Sequence, residues 1–176
     1  MAEATLASVV GTSPARLARL IDGLARSQLT VASAESLTGG LLTAVLTEVP
    51  GASAVVRGGL VVYATELKHD LAGVDANLLA ARGPVDPDVA MALATGVRAA
   101  CGSSVGLGLT GVAGPDPQNG VPVGTWYVGL SWGGGSRLTS HLPQQSATSY
   151  GPGSRAQIRN AAVQAAVELL AGLIDL

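Results

Sequence analysis

Ser36, Tyr63 and Lys68 are the residues of this sequence whose types and surroundings point to catalysis. Ser36 lies in residues 30–40, TVASAESLTGG, where an apolar run gives way abruptly to small polar residues and glycines. A hydroxyl at the end of a buried strand and just ahead of a helix sits where free backbone N–H groups and the positive end of the helix dipole stabilise an anion. Such a serine can attack an acyl carbon while amides near Thr38, Gly39 and Gly40 hold the oxyanion. The same residues also suit plain helix capping, which asks nothing of Ser36 or Thr38 but a side-chain oxygen. Glu35 likewise has two readings: it orients Ser36 or a substrate, or it is a buried carboxylate bonded to the amides of the turn.

Of the ten basic residues nine are arginine, and Lys68 is the only lysine. Arginine does not deprotonate in a protein, whereas a desolvated lysine can, so Lys68 is the candidate base. It falls in the first turn of a helix expected to be capped by Thr65, where the dipole disfavours a cation and lowers its pKa. Tyr63, at the end of a strand, is the candidate relay. A solvated surface lysine and an ordinary amphipathic tyrosine are the readings that need no chemistry. His69 and His141 are isolated, and there is no HExxH, G-x-S-x-G, Walker or G-x-G-x-x-G pattern. No metal or cofactor is implied.

These residues need elements to position them. Residues 30–34, 58–63 and 105–109 read as buried strands, and 124–132 with 137–142 as a hairpin turning at Gly133-Gly134-Gly135. Helices are expected after Ser13-Pro14, after the Ser36 turn, briefly from Thr65 and Asp75, and from Asp86-Pro87. A long terminal helix runs from Ser154 to about Gly172 with Ile158, Ala162, Ala165, Leu169 and Leu173 inward, and residues 143–153 form a surface loop. Residues 110–115, TGVAGP, make a second glycine-rich turn at the end of a strand. Helices alternating with strands, then a hairpin and a last helix, describe an α/β fold, a three-layer α/β/α sandwich with a mixed sheet, over a single domain of residues 1–176.

Composition agrees. With 48% apolar residues, 3% aromatics and no Phe, the core is filled by Val, Leu, Ile and Ala, which suits close-packed α/β layers. A net charge of -2 and a pI near 5.6 argue against nucleic acid as a partner, and so few aromatics leave little to stack on bases. Cys101 is alone, so neither an internal disulfide nor a cysteine zinc site is available. With no signal-peptide pattern and no run of membrane-spanning length, the chain reads as soluble and cytoplasmic. The apolar stripe of the last helix and the scarcity of surface charge point to a homo-oligomer.

The strings AESLTGG, YATELKHDLAGV, LTGVAGP followed by PVGTWYVGL, and SRAQIRNAAVQAAVELL closely resemble the CinA C-terminal domain family, the nicotinamide-nucleotide amidohydrolases. The resemblance covers nearly the whole chain, with four motifs in order. It implies hydrolysis of the carboxamide of nicotinamide mononucleotide (NMN) to nicotinic acid mononucleotide and ammonia without a metal. It also implies that Ser36 is the nucleophile and that Tyr63 and Lys68 complete a Ser-Lys-Tyr site. The 5′-phosphate of such a substrate needs donors, for which Thr110, Gly111, Gly114, Arg155 and Arg159 are the candidates. Family members often carry an N-terminal nucleotide-processing domain that this sequence does not contain. Leu37 stands where the family commonly has Cys or another small residue, Ala64-Thr65 where it often has Ser-Asn, and residues 116–120 depart from its glycine-rich loop. Two other functions fit the resemblance: a non-catalytic nucleotide- or partner-binding module linked to competence and DNA damage, and an amidase for another small amide.

Overall fold

The computed structural model describes residues 5–143 and 153–176, so most of the loop expected at 143–153 lies outside the described residues. Its elements run α1 (Leu6–Val9), α2 (Pro14–Arg26), β1 (Val31–Glu35), α3 (Leu41–Thr47), a 3₁₀ turn (Ala52–Ala54), β2 (Val56–Val61), α4 (Thr65–Asp70), α5 (Ala76–Arg82), α6 (Pro87–Ala100), β3 (Val105–Gly111), β4 (Trp126–Trp132), β5 (Gly135–His141) and α7 (Arg155–Ala171). Local chemistry accounts for most of the boundaries. Ser13, Asp75, Asp86 and Ser154 each accept an amide as N-caps, Pro14 and Pro87 occupy first turns, and Ser154 with Gln157 forms a capping box.

The five strands lie in the order β2-β1-β3-β4-β5. β2, β1 and β3 are parallel, and β4 and β5 pair antiparallel beyond them. Strand alternation sends Val31, Val105, Leu107, Leu109, Val128 and Leu130 to one face, where α1, α2, α3 and α7 cover them. Ala32 and Ala34 face the other way, into a smaller core with Val74 and with Val89, Leu93 and Val97 of α6. Helices on both faces of a mixed sheet give the expected three layers. On the second face Gly106, Gly108 and Gly129 lie beneath α6, and a Cβ at any of them would run into the backbone at Ala90 or Ala94. The missing side chains let the helix sit directly on the sheet.

Several expectations are corrected. β2 is not a buried strand but an edge, and its residues alternate between half-buried and exposed. Helix α1 is an addition to the expected helices: Thr5 caps it locally by accepting from Ser8 N, and its first amides, Leu6 and Ala7, are held at 2.8 and 2.9 Å by the Glu48 carboxylate from far along the chain. Ala64, not Thr65, is the N-cap of α4, and it makes no side-chain cap bond. On α7 the buried stripe passes through Ile158, Ala162, Ala166 and Leu170, whereas Ala165, Leu169 and Leu173 pack only on its flank.

Candidate active site

β1, β2 and β3 end side by side, and the segments that follow them meet over the carboxyl edge of the sheet. Alternation in β1 turns Ser33 and Glu35 toward α3, and the chain then leaves the sheet at Ser36, whose N–H still bonds Leu109 O at 2.9 Å. Ser36, Leu37, Tyr63, Lys68, Gly111, Gly114 and Arg155 line one cleft of about 240 Å³. The Ser36 hydroxyl has no hydrogen-bond partner among the described residues, so it is not spent as a helix cap.

Glu35 is fully buried, and its carboxylate is the organiser of the turn. Oε2 accepts from the amides of Gly40 at 3.1 Å and Leu42 at 3.0 Å. Oε1 accepts from the Thr43 amide and hydroxyl, both at 2.8 Å, and from the Ser33 hydroxyl at 3.0 Å. Of the two readings of Glu35, the bonded carboxylate is the one the structure has. Gly40 enters α3 in the left-handed region, at φ 93°, and offers no side-chain cap, so Glu35 supplies the cap from inside the sheet. Glu35→Ala would leave three buried or half-buried amides without their acceptor, while the Ser33 and Thr43 hydroxyls, 2.7 Å apart, keep one another. A loss of about 3 kcal/mol or more is expected, read as a lower midpoint in urea unfolding.

This network also decides which amides are available. From Ser36 to Thr43 every N–H is taken but two: Ser36 by Leu109 O, Gly39 by Ser36 O, Leu41 by Thr38 O, and Gly40, Leu42 and Thr43 by Glu35. The amides of Leu37 and Thr38 have no partner among the described residues. Of the amides expected to be open near Thr38, Gly39 and Gly40, those of the two glycines are occupied. The Thr38 hydroxyl is buried and makes no hydrogen bond among the described residues.

Lys68 is 1% exposed. Its side chain folds back over the start of α4, and Nζ donates to the carbonyls of Val62 at 2.9 Å, Tyr63 at 3.3 Å and Ala64 at 3.5 Å. Val62 N in turn bonds Glu35 O, which ties this loop to the residue before Ser36. Removal from water pulls the Lys68 ammonium down from its ordinary 10.5 to about 8, with the Glu66 carboxylate opposing the shift. Burial is the cause, and the first-turn placement expected from the sequence does not hold, because Lys68 falls in the last turn of α4.

Tyr63 lies two residues beyond β2 and is 59% exposed. Its hydroxyl accepts from Arg155 Nη2 at 2.9 Å, and Arg155 Nη1 bonds Gly114 O at 2.6 Å. Because the phenol oxygen accepts that bond, its own proton remains to be given elsewhere. Arg155 thus joins α7 to both sides of the cleft. Arg159, one turn further, points behind the turn: Nε bonds Leu37 O at 3.0 Å and Nη2 bonds Thr38 O at 2.7 Å. Thr110 is also structural, with its buried hydroxyl on Pro84 O at 2.6 Å. Neither is among the residues lining the cleft, nor are Thr38, Gly39 and Gly40.

Pro84, Val85, Val112, Ala113, Asp116 and Gln118 complete the walls of the cleft, and of these Pro84 and Val85 lie outside the segments that sequence reasoning singled out. Gly83-Pro84 marks a turn in the sequence, but nothing local brings it against Thr110. Ala113 was within reach, because it lies inside TGVAGP. Its amide and that of Gly114 have no partner among the described residues. Among those residues no cluster of three or more His, Cys, Asp and Glu is placed to hold a metal, and no helix is long and apolar enough to cross a membrane.

A mixed sheet whose parallel strands end in a polar crevice is the arrangement of an open α/β protein, a fold class in which ligands bind outside the carboxyl ends of the strands. Residues 15–174 match the model of the CinA C-terminal domain, and the chain belongs to that family. It is 46% identical over 172 residues to a CinA-like protein of Frankia casuarinae, covering 95% of this chain and 38% of that protein. A CinA-like protein of Gemmatimonas aurantiaca is 42% identical over 156 residues, 87% of this chain and 34% of its own length. The chain thus spans little more than a third of these curated relatives. Among solved structures, the competence/damage inducible protein CihA from Agrobacterium tumefaciens superposes with a TM-score of 0.81 at 32% identity, over 93% of this chain and 95% of that one. A CinA superfamily protein from Klebsiella pneumoniae, 24% identical, shares the fold with a TM-score of 0.82 over 92% and 97% of the two chains.

Proposed function

We propose that this protein hydrolyses the carboxamide of nicotinamide mononucleotide to nicotinic acid mononucleotide and ammonia through an acyl-enzyme. The observation that carries this reading is the meeting, in one cleft, of a serine hydroxyl without an internal partner and a buried lysine whose pKa lies near 8. The neutral Lys68 amine accepts the Ser36 proton as Oγ attacks the carboxamide carbon. The C=O π electrons move to oxygen, and the Leu37 and Thr38 amides stabilise the resulting anion. Collapse of the tetrahedral intermediate expels ammonia, protonated by the Lys68 ammonium or through the Tyr63 hydroxyl. Water, deprotonated by the same amine, then attacks the Ser36 ester and restores the serine.

The Arg155 side of the cleft suits a phosphate, and the Asp116 carboxylate also lines the cleft. Arg155 keeps donors beyond those given to Gly114 and Tyr63, and the free amides of Ala113 and Gly114 lie on the same wall. The soluble, cytoplasmic and oligomeric readings of the sequence belong to this proposal as well. Ammonia release from NMN, compared with free nicotinamide and simple aliphatic amides, is the test. Turnover of NMN well above that of free nicotinamide is expected. Equal rates on all three would point instead to a general small-amide amidase, and no release from any of them to a binding module.

A further inference from the structure

Arg159 holds the carbonyls of Leu37 and Thr38, the two residues whose amides are unpartnered among the described residues, and a peptide plane fixed at its oxygen is fixed at its nitrogen too. The described chain has a single cis peptide, at Gly114-Pro115, so the bond from Leu37 to Thr38 is trans. In a trans peptide the C=O and N–H point in opposite directions. With Leu37 O held at 3.0 Å on the Arg159 side, the Thr38 N–H is turned to the opposite side of the plane. The next carbonyl, Thr38 O, is held at 2.7 Å by the same guanidinium, which blocks rotation of the following plane. The Leu37 N–H shares its plane with Ser36 O, which Gly39 N fixes at 3.1 Å.

We propose that Arg159 is a positioning residue that presets the oxyanion donors of the Ser36 turn, and that it contributes no contact to the substrate phosphate. This rests on the acyl-transfer reading above. Glu35 and Arg159 divide the work by charge. The carboxylate takes three N–H groups of the turn and the helix start, and the guanidinium, from α7, takes the Leu37 carbonyl and adds a second donor to the Thr38 carbonyl, which also accepts from Leu41 N. The two amides left over are those next to the candidate nucleophile. Arginine suits the task because its rigid fork spans two adjacent carbonyls, which a lysine ammonium at the end of a flexible stem does not reproduce.

The test compares Arg159→Ala and Arg159→Lys with the unaltered protein, using NMN turnover and the amide NMR signals of Leu37 and Thr38. Loss of preorganised oxyanion donors predicts a fall in kcat of about 100-fold for Arg159→Ala with KM little changed, since one such donor is worth about 100- to 1,000-fold. Arg159→Lys is expected to recover only part of it, with the Leu37 and Thr38 signals shifted or broadened in both variants. A loss confined to KM would assign Arg159 to the phosphate and overturn the proposal, as would wild-type kcat in Arg159→Ala. Should the unaltered protein leave NMN and other amides intact, the amidase reading fails on its own. The positioning claim is then decided by the two amide signals, and it is overturned if Arg159→Ala leaves them unmoved.

Discussion

Ser36→Ala is expected to lower kcat for ammonia release from NMN by about 10,000- to 1,000,000-fold, the scale on which removal of a covalent nucleophile acts in serine hydrolases. The structure makes this variant a clean probe. Ser36 is a small residue at the end of a strand, its hydroxyl is bonded to nothing among the described residues, and its backbone N–H on Leu109 O is untouched by the change. Stability should therefore move by no more than about 0.5 kcal/mol, below the usual cost of losing a helix cap. Substrate binding should persist, measurable by calorimetry on the inactive protein. Near-normal ammonia release from a folded Ser36→Ala protein would remove the covalent mechanism, and with it the role given to the Leu37 and Thr38 amides.

Lys68→Arg should be almost as damaging as Lys68→Ala, because the proposed work of Lys68 is to exist without its proton. General-base loss costs about 100- to 10,000-fold in rate. The charge-preserving arginine offers no relief, since it stays protonated at any accessible pH. The pH profile carries the sign. With the Lys68 pKa at about 8, the fraction of neutral amine grows as pH rises through that value, so kcat/KM should climb to a plateau above it. That limb should be missing from Lys68→Arg. Stability follows the same sign by linkage. Between about 8 and the ordinary 10.5 the unfolded chain binds a proton that the folded chain has released, so stability rises with pH across that window. The cost of burying the cation is fully present below it. A Lys68→Arg enzyme with near-native kcat and an unchanged profile would take the lysine out of the mechanism.

The sequence carried the parts of this molecule that are written locally. Caps at Ser13, Asp75, Asp86 and Ser154, a Gly-Gly hairpin turn and the apolar runs of β1 and β3 are each decided within a few residues. So the order of elements and the layered sheet could be read directly. Ser36, Tyr63 and Lys68 were legible because their types are rare in their settings, and the structure brings all three to one cleft. What could not be read depends on distant partners. β2 looks buried as GGLVVY, and only its place at the edge of the sheet exposes it. Glu35 and Arg159 illustrate the same limit from both signs. A carboxylate beside a serine and an arginine near a phosphate-like turn each suggest contact with substrate, yet both are spent on the backbone of the turn. Residue type alone does not show whether a hydrogen-bonding group already has a partner.

Lys68 also governs how the protein meets reagents in solution. A chain with one lysine, and that one buried, has no side-chain amine on its outer surface. Amine-directed crosslinkers, biotinylating esters and surface-coupling chemistries have almost nothing to grip, apart from the end of the chain. An acylating compound small enough to enter the cleft meets a single lysine nitrogen there, already close to its neutral form at mildly alkaline pH. The fold thus turns an indiscriminate class of reagent into a site-directed one, and ligand occupying the cleft would shield its single target.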